Sequence, residues 1–151
     1  MKDVVALGEL LIDFAPVSVD EAGYPTLKAQ PGGAPGNFLA ALQAYGCSTA
    51  MLGKVGDDGF GALLRRTLEE RGIETSGILV DPGVFTTMAF VTLDAEGNRS
   101  FSFARKPGAD TCLCKEELEL SLIDECKVFH FGTLSLTDEP ARGATAAAVE
   151  Y

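Results

Sequence analysis

The 151-residue sequence is 46% hydrophobic and 23% charged, with a formal net charge of −10, a composition that supports a packed globular core and excludes disordered and collagen-like classes. The 22 acids against 12 bases repel phosphate backbones, so nucleic acid is not an expected partner, although a locally positive site can still take a small anion. No apolar run approaches the roughly 20 residues of a membrane span, and the opening MKDVVALGELLIDFA carries acids where a secretory leader would be basic; a cytoplasmic protein without a membrane partner is expected.

DVVALG (Asp3–Gly8) is a short β-branched apolar run that predicts a buried parallel strand near a sheet centre. PVSVDEAGYPTLKAQPGG follows as turn residues around two short extended pieces. From Pro35 to Tyr45 the residues Phe38, Leu39, Leu42 and Tyr45 recur at helical spacing, and Gly46 is placed to stop the helix. Ser48–Gly56 reads as the next strand. Asp57 and Asp58 then stand where an N-cap belongs, before a helix with Leu63, Leu64 and Leu68 on one face and Gly72 at its end. This β, α, β, α order is the signature of a parallel sheet with crossover helices.

The pattern then changes. Thr86–Leu93, the turn DAEGN and Arg99–Arg105 predict an antiparallel hairpin whose second strand, with Phe101 and Phe103 alternating with Ser100, Ser102 and Ala104, has one buried and one wet face. A hairpin inside a β/α series suggests a small second sheet. KEELELSLIDEC returns to helix and KVFHFGTL to a buried strand, within which the single histidine, His130, is expected to pack. The last segment, DEPARGATAAAVEY, starts a helix with Asp138 as cap and Pro140 in its first turn. It is still helical at Tyr151, which predicts that a C-terminal portion of the fold is absent. Cys47, Cys112, Cys114 and Cys126 form no C-x-x-C pair and read as reduced thiols rather than metal ligands.

The chemistry-bearing stretch is PGGAPGN (Pro31–Asn37). Gly32 and Gly33 let the backbone approach a ligand and adopt positive φ, and their amides adjoin a helix N-terminus. Asn37 offers a donor and acceptors to a hydroxyl. Such a cradle suits a neutral polyol or a phosphate; the same residues also suit a tight turn with no ligand. No Walker A loop and no G-x-G-x-x-G occurs. Asp13, just past the first strand, stands where parallel sheets bind ligands, and its two oxygens suit paired hydroxyls, or it caps a loop. Arg105, ending the hairpin, either reaches a ligand or is a solvated edge charge.

The segments GELLIDF, PGGAPGN, GKVGDDGFG, TTMAFVTLDAEGNRSFSFARKPGAD and VFHFGTLSL, in that order, resemble the N-terminal half of the PfkB (ribokinase-like) carbohydrate kinases, and the R-x-P-x-A-D string from Arg105 to Asp110 points toward fructokinases. The resemblance implies a three-layer α/β/α domain with a mostly parallel sheet, from residues 1–13, 31–84 and 106–151, and a small β lid from 14–30 and 85–105. It implies that Asp13, Gly33 and Asn37 bind sugar hydroxyls, that Gly32 supports the turn, and that Arg105 reaches the substrate from the lid. It also implies ATP and Mg²⁺ as cofactors and a possible homodimer through the lid. Gly36 stands where Ala is common, and Ala104 where fructokinases often have Tyr. The family's G-A-G-D motif, source of the anion hole and the catalytic aspartate, is not in this sequence, so no catalytic residue and no metal ligand is assigned to it. The resulting expectation is the sugar-binding half of a fructokinase-like enzyme, inactive alone. The alternatives are a non-catalytic sugar-binding or assembly module, or a kinase for 2-keto-3-deoxygluconate or a nucleoside.

Overall fold

The computed structural model describes residues 1–94, 96–124 and 126–151. Strands β1 (Lys2–Leu7), β4 (Thr49–Gly56), β5 (Glu74–Asp81) and β8 (Cys126–Phe131) form one sheet in the order β5-β4-β1-β8, every pair parallel. Strands β2 (Leu11–Val19), β3 (Pro25–Gly32), β6 (Thr87–Leu93) and β7 (Arg99–Ala104) form a second sheet in the order β3-β2-β6-β7. There β2 runs antiparallel to β3 and parallel to β6, and β6 pairs antiparallel with β7. Helices α1 (Ala34–Ala44), α2 (Gly59–Glu70), α3 (Ser121–Asp124) and α4 (Ala141–Glu150) complete the chain.

The layering follows from strand alternation. Successive strand side chains point to opposite faces, so an apolar run such as β1 must be covered on both. Val4, Ala6 and Met51 pack with Leu39 of α1 and Leu64 and Leu68 of α2. Their neighbours Val5, Leu7, Ala50 and Leu52 pack with Ala141, Ala144 and Ala148 of α4. The mixed α/β fold with a parallel first sheet thus agrees with the mostly parallel sheet that the sequence implies. The second sheet is fixed to α2 by aromatic contacts: Phe14 stacks on Phe90 at 5.2 Å and meets Phe60 edge-on at 5.5 Å.

Both predicted helix stops are present, with Gly46 at φ 85° and Gly72 at φ 80°. Of the two candidate caps it is Asp58 that caps α2, accepting from the amides of Phe60 at 2.9 Å and Gly61 at 2.8 Å. The same carboxylate accepts from the Thr86 amide at 2.7 Å, tying α2 to the start of the second sheet's β6. Burial works to raise this carboxyl, but the Thr86 and Gly61 amides, the Thr86 hydroxyl and the Phe60 amide outweigh it and hold it below its ordinary value. Asp58→Ala is therefore expected to destabilise the chain by about 2 kcal/mol in urea unfolding, the upper end for a lost N-cap. Because the folded value is lowered, Asp58's contribution is present above the unfolded pKa and fades as pH falls through the folded one.

Several expectations are corrected. Strand β5 is missing from the sequence reading because Glu74, Thr75, Ser76 and Gly77 hide its pattern. Gly77 is needed there, since a Cβ would lie 2.6 Å from Leu52 Cδ2. The two short extended pieces after Phe14 are full antiparallel strands. KEELELSLIDEC does not form one continuous helix. It forms a 3-10 turn at Lys115–Glu117 and the four-residue α3, with Glu125 outside the described residues. Glu117 is taken by buried Lys54, whose Nζ lies 2.6 Å from Oε2 and donates to the Cys112 carbonyl at 2.9 Å. Strand β7 is exposed along its whole length, including Phe101 and Phe103, because it forms an edge of the second sheet; the DAEGN turn before it includes Ala95, outside the described residues. Strand β8 is only partly buried, with Val128 53% exposed, and His130 packs on Phe38 at 4.4 Å. The N-cap position of α4 is Pro140 rather than Asp138.

Candidate functional site

The chain leaves the first sheet at Leu7 and enters the second at Leu11, so the PGGAPGN turn and Asp13 meet where the two sheets join. Asp13 lies opposite Gln30 on β3 and Ala89 on β6. Alternation puts Asp13 and Ala15, Gln30, Val91 and Leu93, and Arg99 and Phe101 on one face, and these residues line a cavity of about 330 Å³. Gly32 is on that face too, opposite Leu11. A Cβ at Gly32 would collide with the Asp13 carboxylate, so the missing side chain is what leaves Asp13 its place. Burial pushes the Asp13 carboxyl above its ordinary value.

Gly33 occupies the N-cap position of α1 at φ 109°, and a Cβ there would strike the Glu9 carbonyl. Its carbonyl accepts from the Asn37 amide at 3.1 Å. The Asn37 side chain is exposed and makes no hydrogen bond with the described residues. Asn37 and Gly32 line a second cavity, about 310 Å³, with Gln30 and Lys28 among its walls. Asp13 and Asn37 therefore flank Gly32 from adjacent cavities that share Gln30; they do not wall a single pocket. A further cavity of about 560 Å³ is walled by Phe60, Leu63, Phe85 and Met88, a lining ill-suited to a polyol.

Arg105 is not a solvated edge charge. Its side chain is 8% exposed. Nε donates to Asp110 Oδ2 at 2.8 Å, Nη1 to Thr137 Oγ1 at 2.9 Å and to Asp138 Oδ2 at 3.3 Å, and Nη2 to the Leu134 carbonyl at 3.0 Å. Asp110 also accepts from the Thr87 hydroxyl. The R-x-P-x-A-D string thus closes on itself as an ion pair at the foot of the hairpin, and Arg105 lines neither the Asp13 nor the Asn37 cavity.

Gln30 and Arg99 are absent from the site expected from sequence. Gln30 joins the Asp13 face through the β2–β3 register, and Arg99 through the β2–β6 and β6–β7 registers together; none of these pairings carries a local sequence signal. Glu9 is also absent from it. Its signal was visible: an acid inside the apolar run VVALGELLI needs a buried partner.

No group of three or more His, Cys, Asp or Glu side chains able to hold a metal ion occurs among the described residues. These residues do not compose an Mg²⁺ site, and no step is routed through one. Among the described residues no helix is long and apolar enough to cross a membrane.

A chain with this sheet pair and this glycine turn belongs to a known family: residues 1–151 match the pfkB family carbohydrate kinases, and the chain is a member of that family. It is 46% identical over 149 residues to a fructokinase of Solanum tuberosum, covering 97% of this chain and 47% of the relative. It is 44% identical to probable fructokinase-6, chloroplastic, of Arabidopsis thaliana, covering 93% of this chain and 37% of the relative. Among solved structures, the fructokinase from Xylella fastidiosa superposes with a TM-score of 0.90 at 32% identity, covering 99% of this chain and 48% of that one. A putative ribokinase II from E. coli in complex with ATP and Mg²⁺ gives 0.88 at 28% identity, with 99% and 49% covered. The chain thus spans less than half the length of these relatives.

Proposed function

We propose that this chain is the sugar-binding portion of an ATP-dependent monosaccharide kinase, with fructose as its substrate. The observation that carries the reading is the seat of Asp13 against Gly32, one residue before the positive-φ Gly33 and the start of α1. In this reading Asp13 and the Asn37 carboxamide take sugar hydroxyls, the Gly32–Gly33 backbone closes on the ring, and Gln30 joins them from the facing strand. The second sheet acts as the lid, residues 14–30 and 85–105, over residues 1–13, 31–84 and 106–151. Arg105 holds that lid to the larger part from within and acts on the sugar through that geometry. ATP, when bound, supplies the phosphoryl group; the anion hole and base are assigned to the portion of the relatives that this chain does not match. Phosphoryl transfer rests on positioning and electrostatic stabilisation together, so this chain with MgATP and fructose should form no product.

One observation favours another reading: Arg99 places a cation in the Asp13 cavity, which suits the carboxylate of 2-keto-3-deoxygluconate. Calorimetric titration with fructose, 2-keto-3-deoxygluconate and a nucleoside separates the substrates. Fructose should bind above the raised pKa of Asp13 and lose affinity as pH falls through it, because only the ionised carboxylate accepts from two hydroxyls. Tighter binding of the keto acid, or a fructose affinity indifferent to pH, counts against the assignment.

A further inference from the structure

We infer that Glu9 is a positioning residue whose buried carboxyl holds the Gly32–Gly33 turn and the first turn of α1 in the shape that presents Asn37; this rests on the sugar-site reading above. Glu9 is 4% exposed, in the short connection between β1 and β2. Its Oε1 accepts from the Ala34 amide at 2.9 Å. Ala34 is the first residue of α1, and the N-cap residue before it is Gly33, which has no side chain to offer. Glu9 therefore does from 25 positions away what a serine or aspartate cap does locally, and it brings negative charge to the positive end of the helix.

The packing around it is close on every side. A Cβ at Gly132 would lie 2.7 Å from Glu9 Oε2, and one at Gly8 would lie 2.6 Å from Pro35 Cγ. The Gly132 amide donates to the Leu7 carbonyl at 2.8 Å. The end of β1, the start of α1 and the segment after β8 thus converge on one carboxyl group. Its second oxygen, Oε2, is buried without a hydrogen-bond partner among the described residues. Burial pushes the carboxyl above its ordinary value, against the Glu9 and Ala34 amides that bond its charged form. An apolar side chain of similar size would avoid both the desolvation and the orphaned oxygen. Stability alone does not call for an acid here; holding the Ala34 amide does.

The test compares fructose affinity and thermal unfolding of the 151-residue chain with Glu9→Leu and Glu9→Gln. Glu9→Leu should stay folded, with a melting temperature near that of the parent, yet bind fructose at least about tenfold more weakly, the loss expected for a hydrogen bond to a charged group. Glu9→Gln keeps an oxygen for the Ala34 amide and should stay within about threefold of the parent, the range of a neutral for a charged acceptor. A Glu9→Leu chain that binds like the parent, or a Glu9→Gln chain as weak as Glu9→Leu, overturns the inference.

Should Glu9→Leu fail to fold, the Ala34 amide proton decides. In the parent it should shift with pH as Glu9 ionises under the opposing charges of Asp110 and Arg105, and in Glu9→Gln it should not. A flat Ala34 signal in the parent overturns the inference. Absence of fructose binding by the parent overturns the sugar-site reading and this role with it, whereas a failed variant comparison overturns the role of Glu9 alone.

Discussion

Arg105→Ala is expected to destabilise the chain by about 3–5 kcal/mol, read from urea unfolding, the range for breaking a buried ion pair from one side. The size comes from what is left behind. Asp110, with its side chain 2% exposed, would keep, among the described residues, only the Thr87 hydroxyl facing it, while the Thr137 hydroxyl loses the guanidinium and the Leu134 carbonyl is left to the Thr137 amide and hydroxyl. Against a typical domain stability of about 5–15 kcal/mol, that loss decides whether the chain folds. Arg105→Lys should recover only part of it, because an ammonium cannot reproduce a planar fork that spans Asp110, Leu134 and Thr137 at once. A destabilisation below about 1 kcal/mol would mean that the guanidinium is free, and would return Arg105 to the role of direct sugar ligand that the family resemblance implies.

Asp13→Ala should do the opposite. Fructose affinity should fall by at least about a hundredfold, since two hydroxyl bonds to a charged acceptor are lost together. Stability should be unchanged or higher at neutral pH. The sign follows from linkage: burial raises the folded pKa of Asp13, so its neutral form is the one the fold prefers, and stability is lost as pH rises through the folded value. Removing the carboxyl removes that cost. A site residue that weakens the empty fold is the usual trade between binding and stability. An Asp13→Ala chain that is less stable and binds fructose undiminished would make Asp13 a loop cap, the other reading its sequence position allows.

Much of the architecture was legible in the residues. The buried run of β1, the stops at Gly46 and Gly72 and the Asp58 cap each carry a local signal, and the structure has them all. What escaped depends on partners distant in the chain. Strand β5 is recognisable only once Leu52 is seen to need Gly77 beside it. The helix expected over KEELELSLIDEC fails because Lys54 takes Glu117 from 63 residues away. The site divides the same way. Gly32, Gly33 and Asn37 announce themselves as a turn before a helix, and Asp13 as an acid past a strand. Their relation is a matter of register, however, and register also brings Gln30 and Arg99 to the same face. Arg105 shows the limit most clearly: neither a ligand contact nor a solvated edge charge, the readings open to it, contains the buried ion pair with Asp110 that the fold makes.

The most direct measurement is a fructose titration of the ¹⁵N-labelled chain, followed residue by residue in amide spectra. The account predicts saturable shifts centred on Asp13, Gln30, Gly32, Gly33 and Asn37, with the amides around Phe60 and Phe85 unmoved. No saturable shift, or shifts centred on the Phe60–Phe85 cavity, would contradict it.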